Sequence, residues 1–328
     1  ANLDLHDEQG TGLSFYTNRE DTIAKQDMTV ELSRINLKEF RRILPYMPDM
    51  EGWIGAEAHY IDSGPYMMVS SDLRIDEFKY EGSALGNWEL GGVYLPGEAK
   101  DHHLDAYIRH DGEEIAHLGG IYLPAEEGTG SLSADIAFEH FPLNVANPFV
   151  PDRMVELDGD IDGTLSMKGD PAKPLLNGEL ALDSVTFFMP EMSAMFRFDN
   201  EPVQVVNSKM MFKEFDIFTK GKTPFTINGE VDFSDLERTA VNLKMHAENY
   251  ELLNAPRTKR AMVYGKMYVD FNATLRGPVE ELVMRGNMNI LGKTNVTYVL
   301  KDSPLTVNDR LGDMVTFVNF NDTTSVEE

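Results

Sequence analysis

Glycine landmarks return along this chain at a fixed spacing, and no other feature restricts its fold as much. Gly52, Gly159 and Gly265 are separated by 107 and 106 residues, and Gly12, Gly120 and Gly229 by 108 and 109. Gly169-Asp170-Pro171 with Gly178 returns 108 residues later as Gly277-Pro278 with Gly286. Self-similarity at one period marks a repeat array, in which each copy buries its apolar surface against the next. The spacing predicts one continuous array over residues 1–328, with units at approximately 1–111, 112–219 and 220–328, the last truncated. A shorter echo lies inside one copy, where Leu90-Gly91-Gly92-Val93-Tyr94-Leu95-Pro96 returns as Leu118-Gly119-Gly120-Ile121-Tyr122-Leu123-Pro124 after 28 residues. Two strands of an antiparallel meander, running the same way and facing the same side, account for it.

The units read as strands. From Gly265, the residues Met267, Val269, Phe271, Ala273 and Leu275 alternate with Lys266, Tyr268, Asp270, Asn272 and Thr274. Val241, Leu243, Met245 and Ala247 alternate with Asn242, Lys244, His246 and Glu248 in the same way. Such alternation is the signature of a strand with one apolar face. Strands of about ten residues, roughly 34 Å long, are expected. Asp158-Gly159, Asp162-Gly163 and Lys220-Gly221 read as the turns between them. One short helix is expected near 36–44, with Asn36 as its cap, Glu39 three residues on and Pro45 ending it. The corresponding stretch Leu143–Pro151 is proline-broken.

An elongated antiparallel β-groove of about three repeats is therefore the expected fold class. A second sheet over the apolar face, giving a sandwich or barrel, is the alternative. Three features favour an open half-pipe: repeats joined head to tail without long linkers, long one-sided strands, and 18 methionines whose flexible thioethers suit variable apolar partners.

Charge narrows the function. With 55 acidic and 29 basic side chains the formal net charge is −26, which repels nucleic-acid phosphates and anionic headgroups. The absence of cysteine excludes disulfides, thiolate metal sites and a cysteine nucleophile. No run of 18 apolar residues occurs, so no membrane-spanning helix is expected, and the chain reads as a piece of a longer protein whose anchor lies outside it. Asp158, Asp160, Asp162 and Gly163 match the first half of a calcium loop, but its closing position holds Gly169 instead of Glu. An Asp-rich turn is the expectation there. His103, His110 and His117 are seven apart and so alternate faces on a strand, while Glu113-Glu114 and Glu126-Glu127 read as solvated turns. No metal site, cofactor or catalytic residue is expected, and the chain is not read as an enzyme.

A resemblance adds to this. The phrases Phe138-Glu139-His140-Phe141-Pro142-Leu143, Asn147-Pro148-Phe149-Val150-Pro151 and Leu157-Asp158-Gly159-Asp160-Ile161-Asp162-Gly163-Thr164-Leu165 resemble the C-terminal region of the TamB family. So do Met167-Lys168-Gly169-Asp170-Pro171 and Pro174-Leu175-Leu176-Asn177-Gly178-Glu179-Leu180. Residues 130–328 carry the resemblance, and 1–129 share in it mainly through the repeat. The resemblance implies an AsmA-like bridge protein of Gram-negative envelopes. Such a protein is periplasmic, anchored in the inner membrane, and folded as a sheet bent over an apolar interior. It also implies phospholipid movement between membranes and, as partner, an Omp85-type outer-membrane barrel, TamA, within the translocation and assembly module.

The physics of a lipid route agrees with that implication. Exposing a 16-carbon acyl chain to water costs on the order of 12 kcal/mol, so a carrier must keep the chain in apolar surroundings throughout. The candidate lining is Leu165, Met167, Leu180, Leu182, Phe225, Ile227, Val231, Phe233, Val241, Leu243, Met245, Met267, Val269, Phe271, Leu275, Met284, Met288 and Ile290. Each would serve equally as a sandwich-core residue. A scaffold for outer-membrane barrel assembly, working through strand edges, is the competing function. A carbohydrate-binding repeat ranks below both, since Trp53 and Trp88 are the only tryptophans. An exposed trough could also pair two copies face to face as a homodimer.

Overall fold

The computed structural model describes residues 2–299 apart from 18–24, 65–66, 98–99, 126–128, 151–152, 172, 191, 200, 236–237 and 258–262. One antiparallel sheet contains all nineteen of its strands. The first five are β1 (Asn2–His6), β2 (Gly12–Thr17), β3 (Gln26–Asn36), β4 (Met50–Asp62) and β5 (Met67–Tyr80). There follow β6 (Ser83–Pro96), β7 (His102–His110), β8 (Glu113–Leu123), β9 (Ser131–Pro142), β10 (Glu156–Gly169) and β11 (Leu175–Met189). The remainder are β12 (Ala194–Phe198), β13 (Val203–Val206), β14 (Lys209–Phe218), β15 (Phe225–Asp232), β16 (Ala240–Ala255), β17 (Val263–Pro278), β18 (Val283–Ile290) and β19 (Asn295–Tyr298).

Each strand pairs with its successor in sequence, with two exceptions that follow one rule. β12 and β13 pair with β11 in a single register and with β14 in a single register, so they are two halves of one strand broken near Pro202. A proline cannot donate to the ladder, which explains the break. Likewise β18 and β19 share one flank of β17. Nineteen strands thus fill seventeen ladder positions. β1 pairs only with β2 and β18 only with β17 among the described residues, so the sheet is not closed. Gly52, Gly159 and Gly265 lie in β4, β10 and β17, six ladder positions apart, all at positive φ.

The long runs exceed the expected ten residues, since β16 and β17 have 16 each. The expected helix is α1 (Leu37–Ile43), where the Asn36 side chain accepts the Lys38 N–H and Glu39 pairs with Arg42 at 2.6 Å. Leu143–Phe149 forms a 3-10 helix despite Pro148, because the tighter turn tolerates the missing donor where an α-helix does not.

Three of the expected turns are corrected. Asp158-Gly159 and Asp162-Gly163 lie inside β10, at irregularities in its pairing with β11 and β9. A glycine at positive φ serves a bulge as well as a turn. At Gly163 and Gly178 a Cβ would come within 2.2 Å of Glu179 O and 2.0 Å of Thr164 O, so only glycine lets these strands approach. Lys220-Gly221 lies in the bend that separates β14 from β15. Glu113 and Glu114 open β8 instead of forming a turn, and Glu126-Glu127 lies outside the described residues.

Bulges recur at one level of the sheet. Arg34, Glu77, His140, Ser184, Glu214 and Asn249 take φ between 48° and 52° in β3, β5, β9, β11, β14 and β16. At four of them an Asn or Asp on the following strand accepts the backbone N–H: Asn87 for Glu77, Asp162 for His140, Asn228 for Glu214 and Asp270 for Asn249, at 2.7–2.9 Å. Bulges bend a strand and raise its twist, so this row bends the sheet along one line.

Candidate functional site

Residues directly opposite in a ladder share a face, so the register carries one face across the whole sheet. It holds Leu3 and Leu5 in β1, Val30 and Leu32 in β3, Leu73 and Ile75 in β5, and Leu90 and Tyr94 in β6. It continues through Leu104 and Ile108 in β7, Leu118 in β8, Ile136 and Phe138 in β9, and then into β10. The opposite face carries Asp72, Arg74, Glu89, Asp105, Glu179, Lys244 and their neighbours.

The residues nominated from sequence fall as follows. Leu165, Met167, Leu180, Leu182, Phe225, Ile227, Val231, Val241, Leu243, Met245, Met267, Val269, Phe271, Leu275, Met284, Met288 and Ile290 all lie on this apolar face. Phe233 lies just past the end of β15. The sequence reading named no residue of β1 to β9, although Leu104-Asp105-Ala106-Tyr107-Ile108 alternates as clearly as β16. The stripe there is interrupted by Ser71, Gly92 and His102, which weakens a purely hydrophobic signal.

Among the described residues, nothing packs over much of this face. Leu5 is 58% exposed, Leu32 38%, Leu90 39% and Leu104 45%. Small residues run along the floor of the trough, where Ala58, Ser71, Gly92 and Ala106 are successive cross-strand partners. A cavity of about 340 Å³ opens nearby, lined by Leu104, Leu118, Gly120, Leu132, Ala134 and Met167, with Tyr94, His102 and Tyr122 at one side.

The trough is closed at one level of its other end. β12 meets β16 across it, burying Ala194, Phe196, Leu253 and Ala255 together. Ala247, Tyr250 and Val269 form an adjoining buried group. Aromatic rings follow the same face: Phe187 stacks on Phe196 at 4.5 Å, Phe198 contacts Phe215, and Phe225 contacts Tyr250 and Phe271. The Thr219 hydroxyl donates to Glu251 O at 2.5 Å, and the nearby Tyr250 hydroxyl is buried without a hydrogen-bond partner among the described residues. Burial pushes that phenol up to about 12, against a smaller opposite pull from the Thr219 side chain. On the outer face, burial and then the carboxylates of Glu89 and Asp72 push Tyr107 up to about 12.

His103 and His117 face outward, pairing with Asp101 and Asp105, and His110 faces inward against Trp88. Asp158, Asp160 and Asp162 lie in a strand. Among the described residues no group of three or more His, Asp or Glu side chains is placed to hold a metal ion.

An antiparallel sheet with one accessible apolar face, bent along a row of bulges, defines a β-groove protein. Residues 214–328 match the family model described as the TamB C-terminal domain, a match that supports a TamB family assignment. No curated protein and no solved structure matches it. The family is one of envelope proteins of the transport or bridge type and ties the chain to the envelope assembly system. No helix among the described residues is long and apolar enough to cross a membrane.

Proposed function

We propose that the chain is a periplasmic segment of an intermembrane bridge that carries phospholipid acyl chains along its apolar face, in the service of outer-membrane biogenesis. The observation that carries this reading is the exposure of Leu5, Leu32, Leu90 and Leu104 on one face of an unclosed sheet. Leaving such side chains in water costs about 25 cal/mol for every Å² of apolar surface, a cost that an acyl chain removes by lying on them. Headgroups stay in solvent along the open side, so movement needs no specific polar contact at each step. The nominated lining residues are the route in this reading. The chemistry calls for no catalytic group or cofactor.

Photocrosslinking from Leu90 and Leu104, with Glu89 on the outer face as control, tests it. Phospholipid adducts at the first two positions and none at the third are expected; adducts to no lipid at any position would overturn it. A second reading, a scaffold for barrel assembly with a TamA-like partner, is favoured by the single-sided edges at β1 and β18. Adducts to barrel precursors in place of lipid would select it.

A further inference from the structure

The cavity over Gly120 and Ala134 differs from the rest of the trough because a polar group is built into its wall. Gly120 and Ala134 are direct cross-strand partners, so the floor there is at most one methyl deep between the larger Leu104, Leu118, Leu132 and Met167. Tyr94, His102 and Tyr122 stand at its side, with Tyr94 stacked on His102 at 5.7 Å and His102 tilted against Tyr122 at 5.8 Å.

The hydrogen bonds of this group fix its chemistry. The Tyr122 hydroxyl donates to Thr129 O at 2.9 Å. The Tyr94 hydroxyl is bonded to His102 Nδ1. In the tautomer in which Nδ1 accepts from Tyr94, Nε2 carries the ring proton and is an N–H donor on a side chain that lines the cavity. No Lys, Arg, Asp or Glu lines the cavity among the described residues. A full anion here would lose its hydration for one neutral donor, whereas a neutral carbonyl is satisfied by it. At a volume of about 340 Å³ the space is within the range of small-ligand sites, with an apolar lining and few polar groups.

We propose that this cavity seats one acyl chain of a diacyl phospholipid, whose glycerol-ester carbonyl accepts a hydrogen bond from His102 Nε2–H. The chain lies over Gly120 and Ala134 and the charged headgroup remains in solvent. Tyr94 is a positioning residue that holds the tautomer. This seat rests on the lipid-groove reading above and adds to it a resting place and the atom recognised.

Ester-linked and ether-linked phosphatidylcholines of equal chain length separate the two claims, because the ether analogue lacks the carbonyl. The full chain is titrated with each, below the critical micelle concentration, by native mass spectrometry. The wild type is expected to prefer the ester lipid about fivefold to tenfold, the worth of one hydrogen bond. His102→Phe is expected to bind both as the wild type binds the ether lipid. Ala134→Leu, which fills the floor, is expected to lower binding of both by about tenfold while leaving the circular dichroism spectrum unchanged. Equal binding of the two lipids by the wild type, or a preference that survives in His102→Phe, overturns the seat and leaves the groove reading standing. Binding of neither lipid by the wild type overturns both.

Discussion

Tyr250 is the residue at which the protein departs most from an ordinary packing rule. Its side chain is 1% exposed and its hydroxyl, beside a Thr219 hydroxyl that is spent on Glu251 O, has no hydrogen-bond partner among the described residues, an arrangement that costs about 1–3 kcal/mol. Tyr250→Phe is therefore expected to stabilise the protein by about 1 kcal/mol in urea unfolding; a loss of stability would show that the hydroxyl is bonded. Asp232 gives a second residue-level expectation. The Ser234 hydroxyl at 2.6 Å and N–H at 3.0 Å, then Lys209 at 3.2 Å, hold its carboxyl below the usual value of 3.8. A carboxyl depressed on folding stabilises fully above its unfolded pKa, and that contribution is lost as pH falls through the native value. The stability difference between wild type and Asp232→Asn should thus be present at neutral pH and vanish once both states protonate the aspartate. A difference that does not change with pH would place its origin elsewhere.

Between strands, the apolar residues have two fates that the alternation pattern does not separate. Leu253 is 1% exposed where β12 meets β16, and Leu104 is largely uncovered in the trough. Leu253→Ala is expected to cost about 2–5 kcal/mol, and Leu104→Ala under about 1 kcal/mol, by chemical denaturation. Similar costs at both positions would mean that the trough is packed shut in solution. The strands and their faces were legible in the sequence, because polar and apolar residues alternate cleanly from Val241 to Ala247 and from Met267 to Leu275, and α1 was legible from its Asn36 cap and Pro45. The bulges were not, since Asp158-Gly159 and Asp162-Gly163 have the chemistry of turns, and a positive φ suits either. Nor was the covering of the apolar face legible: Leu104 and Leu253 are the same residue type, and only what lies opposite distinguishes them. The cavity escaped notice because Tyr94 and Leu104, partners across a strand pair, are brought level with Ala134 only by the register of four strands.

For the whole molecule, the ladder joins neighbours in sequence almost throughout, so stability is a sum of local interfaces with no single global core. All five residues of β1 are exposed, while the buried groups gather between β11 and β17. Hydrogen exchange should run fastest in β1 and β2 and slowest in β16 and β17, with graded protection between. Uniform protection would show a single cooperative unit instead. We propose the six-position spacing of Gly52, Gly159 and Gly265 as the repeat unit, with bounds near 1–111, 112–219 and 220–328.

The meander also makes length an adjustable property. Strands are spaced by about 4.8 Å, so the seventeen ladder positions extend roughly 75–80 Å along the stacking direction. Adding or removing one hairpin changes that span by about 10 Å and leaves the cross-section as it was. Because no strand pairing links the two ends among the described residues, such an edit disturbs only the joint where it is made. Hairpin number then works as a ruler, and the distance such a protein spans can be tuned in steps without redesigning the surface that carries its cargo.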